Sequence, residues 1–454
     1  MQSKNHFTSR FSFLMVTAGA AVGLGNIWAF PFIAGQNGGG GFVLIYTLAL
    51  LMVAIPAMIA ELVIGRLGQA SPSVSLNKVK ADNGGKGPWS LMGWVGMGAN
   101  ILVLSFYAVI AGQAAYYAYF AVTHGFETMP SVAIRAIDNG FKTSFHQPVF
   151  WTALFIGMTM LIVSLRVTSG LEKTGRYLMP ALFILLVVLV AYAAYYGDFD
   201  RAYDFLLGFD RFQLSSGVVI AAIGQAFFTL SVGLCGLMMY GAYMGEDIKL
   251  PGAVASIATM DFLVAVLAGF AIFPLVFAEN MNPGAGPGLV FMTLPVLFAK
   301  LPFGDWGAFV FFVLLTMAAI TSSIAMMAPM VGRFEDSGIS RVRASIILGA
   351  VTFILSFMTT LSFGPLYDFY PLDMFSVTEE MNMFALIREG VNHVILPLGG
   401  LAFLLIAGWG IRRHNLLAAL NVSDGAFFNQ IRFLIRYIAP LALIVMIFMG
   451  WFYG

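Results

Sequence analysis

An all-α protein that crosses a membrane many times is predicted by three observations. Of 454 residues, 60% are hydrophobic and only 10% charged, with a mean hydropathy of +0.88. That balance excludes an ordinary water-soluble domain. The apolar residues fall into runs of roughly 20, the length that spans a hydrocarbon core as a helix. Two of these runs, the first and the sixth, are interrupted at mid-length by glycines and hydroxyl residues.

By the length rule the chain holds about eleven spans, near 12–34, 42–65, 91–122, 148–166, 177–197, 214–244, 253–278, 306–332, 342–362, 391–411 and 434–453. The first contains Gly19-Ala-Ala-Val-Gly-Leu-Gly-Asn26, then Pro31 and Asn37-Gly-Gly-Gly-Gly41. In hydrocarbon every freed N–H or C=O needs a partner, so unwound backbone survives at membrane depth only where it lines a cavity or binds something. The Gly19 and Gly23 spacing alone also lets two membrane helices approach closely. The second span carries Glu61 late in its length, where it either sits solvated at the interface or serves the interior. The third carries Val103 and Tyr107, and the fourth and fifth are plain apolar runs. The sixth contains Phe227-Phe-Thr-Leu-Ser-Val-Gly-Leu-Cys-Gly236, the second mid-span interruption. Asp261 falls near the middle of the seventh, where an ionisable group is costly unless it faces a cavity or a cation. A protonated, hydrogen-bonded acid is the alternative. In the eighth, Ala318, Thr321 and Ser322 stand at i, i+3 and i+4 and share one face. One carbonyl and two hydroxyls make half of a hard-cation site, although such hydroxyls can also bond back to the preceding turn. Besides the first, no span but the sixth is so disturbed at its middle.

No connection is long enough for a soluble domain. Lysine and arginine stay on the cytoplasmic side of short loops, and with the N-terminus inside most of the 23 basic residues do so, among them Lys4, Arg10, Arg66, Lys78, Lys80, Lys86, Arg166, Lys173, Arg176, Arg341, Arg343, Arg412 and Arg413. An odd number of spans then leaves the C-terminus outside, and Asp198, Asp200, Asp204 and Asp210 on the outer face. The basic start and apolar first run lack a small-residue cleavage site, so the run is expected to stay in the mature protein. One cysteine, Cys235, permits neither an intrachain disulfide nor a thiolate metal cage. A net charge of +1 without a basic, aromatic-interleaved patch argues against nucleic acid. His6, His124, His146, His393 and His414 are scattered toward loops and span ends, and no Gly-x-Ser-x-Gly elbow accompanies them, so an enzyme is not expected.

Interrupted segments opening spans one to five and six to ten point to an inverted repeat with a site at the bilayer midplane. Five spans being odd, the second copy inserts upside down. Half-helix N-termini suit an anionic group, and freed carbonyls suit a cation. Four stretches in order, Gly19-Ala-Ala-Val-Gly-Leu-Gly-Asn26, Gly224-Gln-Ala-Phe-Phe-Thr-Leu-Ser231, Asn282-Pro-Gly-Ala-Gly-Pro-Gly288 and Ala319-Ile-Thr-Ser-Ser-Ile324, resemble the neurotransmitter:sodium symporter family, in its prokaryotic eleven-span amino acid transporter branch. The likeness covers nearly the whole chain. It implies a leucine-transporter-like fold, itself a known source of the inverted-repeat rule, with repeats over 1–200 and 201–415 and an eleventh span in 416–454.

The resemblance further implies two sodium sites. One joins the carbonyls of Gly19 and Val22 to Ala318, Thr321 and Ser322; the other takes Ala21, Asn26, Thr229 and Asp261. Asp261 stands where many relatives have asparagine, and its charge makes chloride unnecessary. Ala21, Gly23, Gly25, Val103, Tyr107, Phe228, Thr229, Ser231, Leu234, Ser322 and Met326 match the family's amino acid pocket. Tyr107 is expected to bond the substrate carboxylate while its ring packs on Phe228 and closes the outer side. Gly23 replaces the aspartate of monoamine carriers, favouring an amino acid, and Leu234 replaces an aromatic, leaving more volume. Glu61 is expected to brace the breaks of spans one and six. Lys4 and Asp336, with Tyr243, match the inner gate.

The outer gate departs from the family pattern. Ala29 stands where an arginine is usual, while Ala385 and Arg388, with Glu389 adjacent, occupy the opposite wall. Either Arg388 supplies the charge from that wall, or closure rests on Tyr107 and Phe228, or Arg388 reads a second substrate carboxylate. The implied function is sodium-coupled import of a neutral, hydrophobic or aromatic L-amino acid across a prokaryotic plasma membrane, the inner membrane in a Gram-negative cell. A monomer suffices and an oligomer is compatible. The alternatives are a sensor or scaffold that binds without transporting, and a carrier of another amino acid class.

Overall fold

The computed structural model describes residues 6–209, 214–284, 288–363, 369 and 381–453. Nine helices there are long and apolar enough to cross a membrane, and the pair Arg10–Ala21 and Gly25–Gln36, bent by 48°, adds a tenth. The sixth predicted span appears as Ser216–Thr229 and Gly236–Ala242 on either side of a break. The others, in order, are Gly40–Gly68, Trp89–Thr123, His146–Ser164, Thr168–Tyr196, Leu250–Ala278, Gly304–Asp336, Arg341–Leu361, Met383–Gly410 and Ala426–Met449. All predicted spans are therefore present, with the fifth starting earlier than its apolar run suggests. Short helices in segments that the apolar pattern marks only as connections, Pro72–Asn83, Ser131–Thr143, Phe199–Leu207 and Arg413–Leu420, join them.

Spans three and eight make the most extensive helix pair and form the centre. The first half of span one lies on spans five, seven and eight, and the inner half of span six lies on span two. Both breaks thus fall in the interior.

Local chemistry explains where helices start and stop. Ser9 caps span one by accepting the Ser12 N–H at 3.1 Å, and the helix ends where Val22 turns extended (φ −73°, ψ 109°). Ser215 caps span six in the same way, accepting the Val218 N–H at 3.3 Å. Its break holds three residues with positive φ, Ser231 (52°), Gly233 (93°) and Cys235 (65°). Left-handed backbone costs roughly 1–2 kcal/mol for a residue other than glycine, so Ser231 and Cys235 need outside support. Several helices also contain one widened, π-helical turn. Those ending at Ala29, Ala54, Thr293, Ile395 and Ile438 each stop two residues before Pro31, Pro56, Pro295, Pro397 and Pro440. Proline lacks an N–H and its ring crowds the carbonyl four residues back; a widened turn moves that carbonyl aside without ending the helix.

Candidate transport site

The break in span one redirects its own hydrogen bonds. In a continuous helix the N–H groups of Gly23 and Asn26 would go to the carbonyls of Gly19 and Val22. Instead Gly23 N–H donates to Asn26 Oδ1 at 3.0 Å, and Asn26 N–H donates to the Gly23 carbonyl at 3.2 Å. The two freed carbonyls meet span eight, whose Ser322 hydroxyl donates to Gly19 O at 3.4 Å and Val22 O at 3.3 Å. Thr321 Oγ1, one residue earlier, lies 2.9 Å from Ala318 O. Gly19, Val22, Ala318, Thr321 and Ser322 are thus brought together. The two glycines allow the approach: a Cβ at Gly19 would stand 3.2 Å from Thr321 Cβ, and one at Gly23 only 2.3 Å from Ser322 Oγ. Close packing and the oxygen cluster are one feature.

A second cluster surrounds Asp261. Asn26 Nδ2 donates to Asp261 Oδ1 at 2.8 Å and to its carbonyl at 3.0 Å. Thr229 donates to Oδ1 at 2.9 Å and Tyr46 to Oδ2 at 3.3 Å. All of these donors are neutral, and among the described residues no basic side chain pairs with this carboxylate, which is 0% exposed. A buried carboxylate in such surroundings is balanced by a bound cation or a proton. Tyr46 is not foreseen from sequence, because one tyrosine in an apolar run looks like ordinary core. Thr229, expected in both ion and substrate sets, turns its hydroxyl to Asp261 and does not line the small cavity beside the break in span one.

That cavity measures about 10 Å³, room for about one water molecule. Ala21, Gly23, Gly25, Tyr107, Ser231 and Ser322 form its polar side. Val103, Phe228, Leu234 and Met326 form its apolar side, as the sequence predicts, together with Leu396 of span ten, which it does not. Tyr107 accepts the Leu24 N–H at 3.3 Å. That bond ties the phenol to the unwound backbone of span one; among the described residues the Tyr107 ring makes no ring contact with Phe228, contrary to expectation. Phe228 also borders a second cavity of about 250 Å³ on its other side, whose wall includes Trp28, Ala29, Phe106, Gln225, Arg388 and Asn392. It is the partition between them.

The break in span six is held mainly by residues of spans two and three. Glu61 accepts the N–H of Gly233 at 2.9 Å and of Met238 at 3.3 Å. Its bonds hold span six only; no donor from span one reaches it among the described residues. Two buried amides that sequence reasoning misses complete the support: Asn100 Nδ2 donates to the Leu234 carbonyl, and Gln225 Nε2 to the Gly25 carbonyl at 2.7 Å. An amide in mid-span is the signal that could have found them. Cys235 sits on the seam with span three, where a Cβ at Gly96 would be 2.6 Å from its sulfur.

At the gates the picture changes. Lys4 lies outside the described residues. Asp336 accepts the Ser71 N–H at 3.0 Å, and the Tyr243 carbonyl accepts the Phe7 N–H at 3.0 Å, with the Phe7 ring edge-on to Tyr243. In the wall of the larger cavity Arg388 pairs with Glu389 of its own helix and lies over the Phe384 ring. That pair runs along span ten and does not cross the large cavity to Ala29.

A sequence model of the sodium:neurotransmitter symporter family matches residues 4–130 and 133–397. The sodium-dependent transporter YhdH of Bacillus subtilis is 33% identical over 98% of this chain and 97% of its own. A sodium-dependent transporter of Methanocaldococcus jannaschii is 27% identical over 98% of this chain and 90% of its own. Among solved structures, that of MhsT in complex with L-phenylalanine superposes with a TM-score of 0.89 at 35% identity, covering 98% of this chain and 99% of MhsT. With this fold, of the leucine-transporter type, the chain belongs to the sodium:neurotransmitter symporter family and is a multi-pass membrane transporter rather than an enzyme.

Proposed function

We propose that the protein couples inward sodium movement to uptake of a neutral, hydrophobic or aromatic L-amino acid by alternating access. One observation carries the reading: a single helix break serves two oxygen clusters and a cavity at once. Gly19 and Val22 turn their carbonyls to Ser322, Asn26 holds Asp261, and Gly23 and Gly25 line the small cavity. Each cluster takes one sodium ion. Asp261 supplies a fixed negative charge at the first, so chloride is not required. The amino acid's carboxylate faces the Tyr107 hydroxyl and the freed N–H groups of the break, where half-helix ends favour an anion. Its side chain lies toward Val103, Leu234 and Met326, and no charged residue lines the inner cavity among the described residues. The phenylalanine bound to MhsT supports the substrate class. The N-terminus is cytoplasmic, in a prokaryotic plasma membrane; residues 1–200 and 201–415 form the inverted repeats, and a monomer is the working unit.

In proteoliposomes, labelled leucine or phenylalanine is expected to accumulate under an inward sodium gradient and to stop when potassium replaces sodium. Accumulation indifferent to sodium overturns the reading. A second reading, ligand binding without flux, is favoured by Ala29 standing in the wall of the larger cavity where a charged partner for the opposite wall is expected; it predicts sodium-dependent binding with no uptake.

A further inference from the structure

The structure assigns Leu396 of span ten as the residue that measures the substrate's side chain. The inference rests on the proposed amino acid transport, since it names a determinant of the same pocket. Three observations converge on it. Leu396 is 2% exposed and lines the inner cavity. With Val103 of span three, Phe228 and Leu234 of span six and Met326 of span eight it supplies most of the apolar lining, drawn from four helices.

Leu396 is brought there by a widened turn. Residues Gly390–Ile395 are π-helical and Leu396 comes directly after them, ahead of Pro397. A π-helical turn holds an extra residue and rotates the residues beyond it, which is why such turns recur at functional sites. The same turn connects Asn392 in the wall of the outer cavity to Leu396 in the inner one.

Span six makes room for it. A Cβ at Gly233 would stand 2.6 Å from the Leu396 carbonyl, and one at Gly399 would stand 2.5 Å from the Gly233 carbonyl. The two backbones touch, and Glu61 fixes Gly233 from behind. Leu396 cannot retreat along its own helix when a larger ligand enters. In a cavity this tight, a methyl group more or less changes the size that fits.

The test is a ranking. Stabilisation of the purified full chain by alanine, valine, leucine, phenylalanine and tryptophan is measured in sodium for wild type, Leu396→Ala, Leu396→Phe and, as a lipid-side control, Leu398→Ala. Leu396→Ala is expected to move the tryptophan-to-leucine affinity ratio about tenfold toward tryptophan, and Leu396→Phe about tenfold the other way. Leu398→Ala, at a half-exposed position, leaves the ranking unchanged. A merely structural role lowers all affinities alike, and that result, or an unmoved ranking, overturns the inference. Should Leu396→Ala fail to fold, Leu396→Val carries the same expectation at about threefold. If wild type responds to none of the amino acids in sodium, the amino acid site itself falls, and this inference with it; a wild type that responds while its variants keep the order removes Leu396 alone.

Discussion

Asp261 concentrates the electrostatic problem of the molecule into one side chain. Three neutral donors, Asn26, Thr229 and Tyr46, orient the carboxylate without cancelling its charge. In the proposed sodium site an ion entering beside it would gain a full counter-charge in a medium where such interactions are weakly screened. Replacing Asp261 by Asn keeps the shape and the Thr229 bond but removes the charge, so apparent sodium affinity is expected to fall at least about tenfold, or 1.4 kcal/mol, in sodium titrations of uptake. Wild-type uptake should not change when gluconate replaces chloride. A wild type that requires chloride would falsify the assignment of its negative charge to Asp261.

At the scale of elements, the break in span six depends on a neighbour. Ser231 and Cys235 hold left-handed backbone, and Glu61 of span two gathers the N–H groups that the break leaves without helical partners at Gly233 and Met238. Glu61→Ala strips a buried acceptor from those donors, at a cost of about 1–3 kcal/mol for each one left unsatisfied. A lower melting temperature and lost substrate binding are expected, with Glu61→Gln milder because one oxygen remains; unchanged melting of both variants counts against this support. The breaks themselves are legible in sequence, since glycines and hydroxyls concentrated at mid-span weaken a helix where lipid offers the freed backbone no partner. So is the clustering of Gly19 and Val22 with Thr321 and Ser322, through helical spacing and family resemblance. The roles of Tyr46, Asn100, Gln225 and Leu396 are not, because each is one unexceptional residue whose meaning depends on which helix lies opposite. Widened turns are hidden for a related reason: their backbone angles stay near helical values, and only the proline two residues on betrays several of them. Leu396 reaches the pocket through one such turn.

For the whole molecule, the two cavities define its state. About 250 Å³ lies on one side of Phe228 and about 10 Å³ on the other, while Phe7 and Tyr243 pack together near the start of span one. On the proposed orientation this is a form closed inward and hollow outward. The proposed alternating access requires the reverse form, with spans one, two, six and seven tilting against three, four, eight and nine. Arg388 and Glu389 pair on one helix; if, as we propose, closure on that side rests on apolar contacts around Phe228, raised salt is expected to weaken it little.

The lone thiol turns that motion into something countable. In the proposed cycle Cys235 of span six belongs to the tilting part, and its buried sulfur lies against Gly96 of span three in the stationary part, so the seam that would part is the seam that shields it. A small methanethiosulfonate reagent becomes a stopwatch for the unmodified protein: labelling is expected to be slow in sodium with substrate and several-fold faster in potassium, read by mass spectrometry. Equal rates in both would mean that this seam stays shut throughout the cycle. Most proteins need cysteines removed and one engineered before they report such a step, whereas this sequence carries its reporter already.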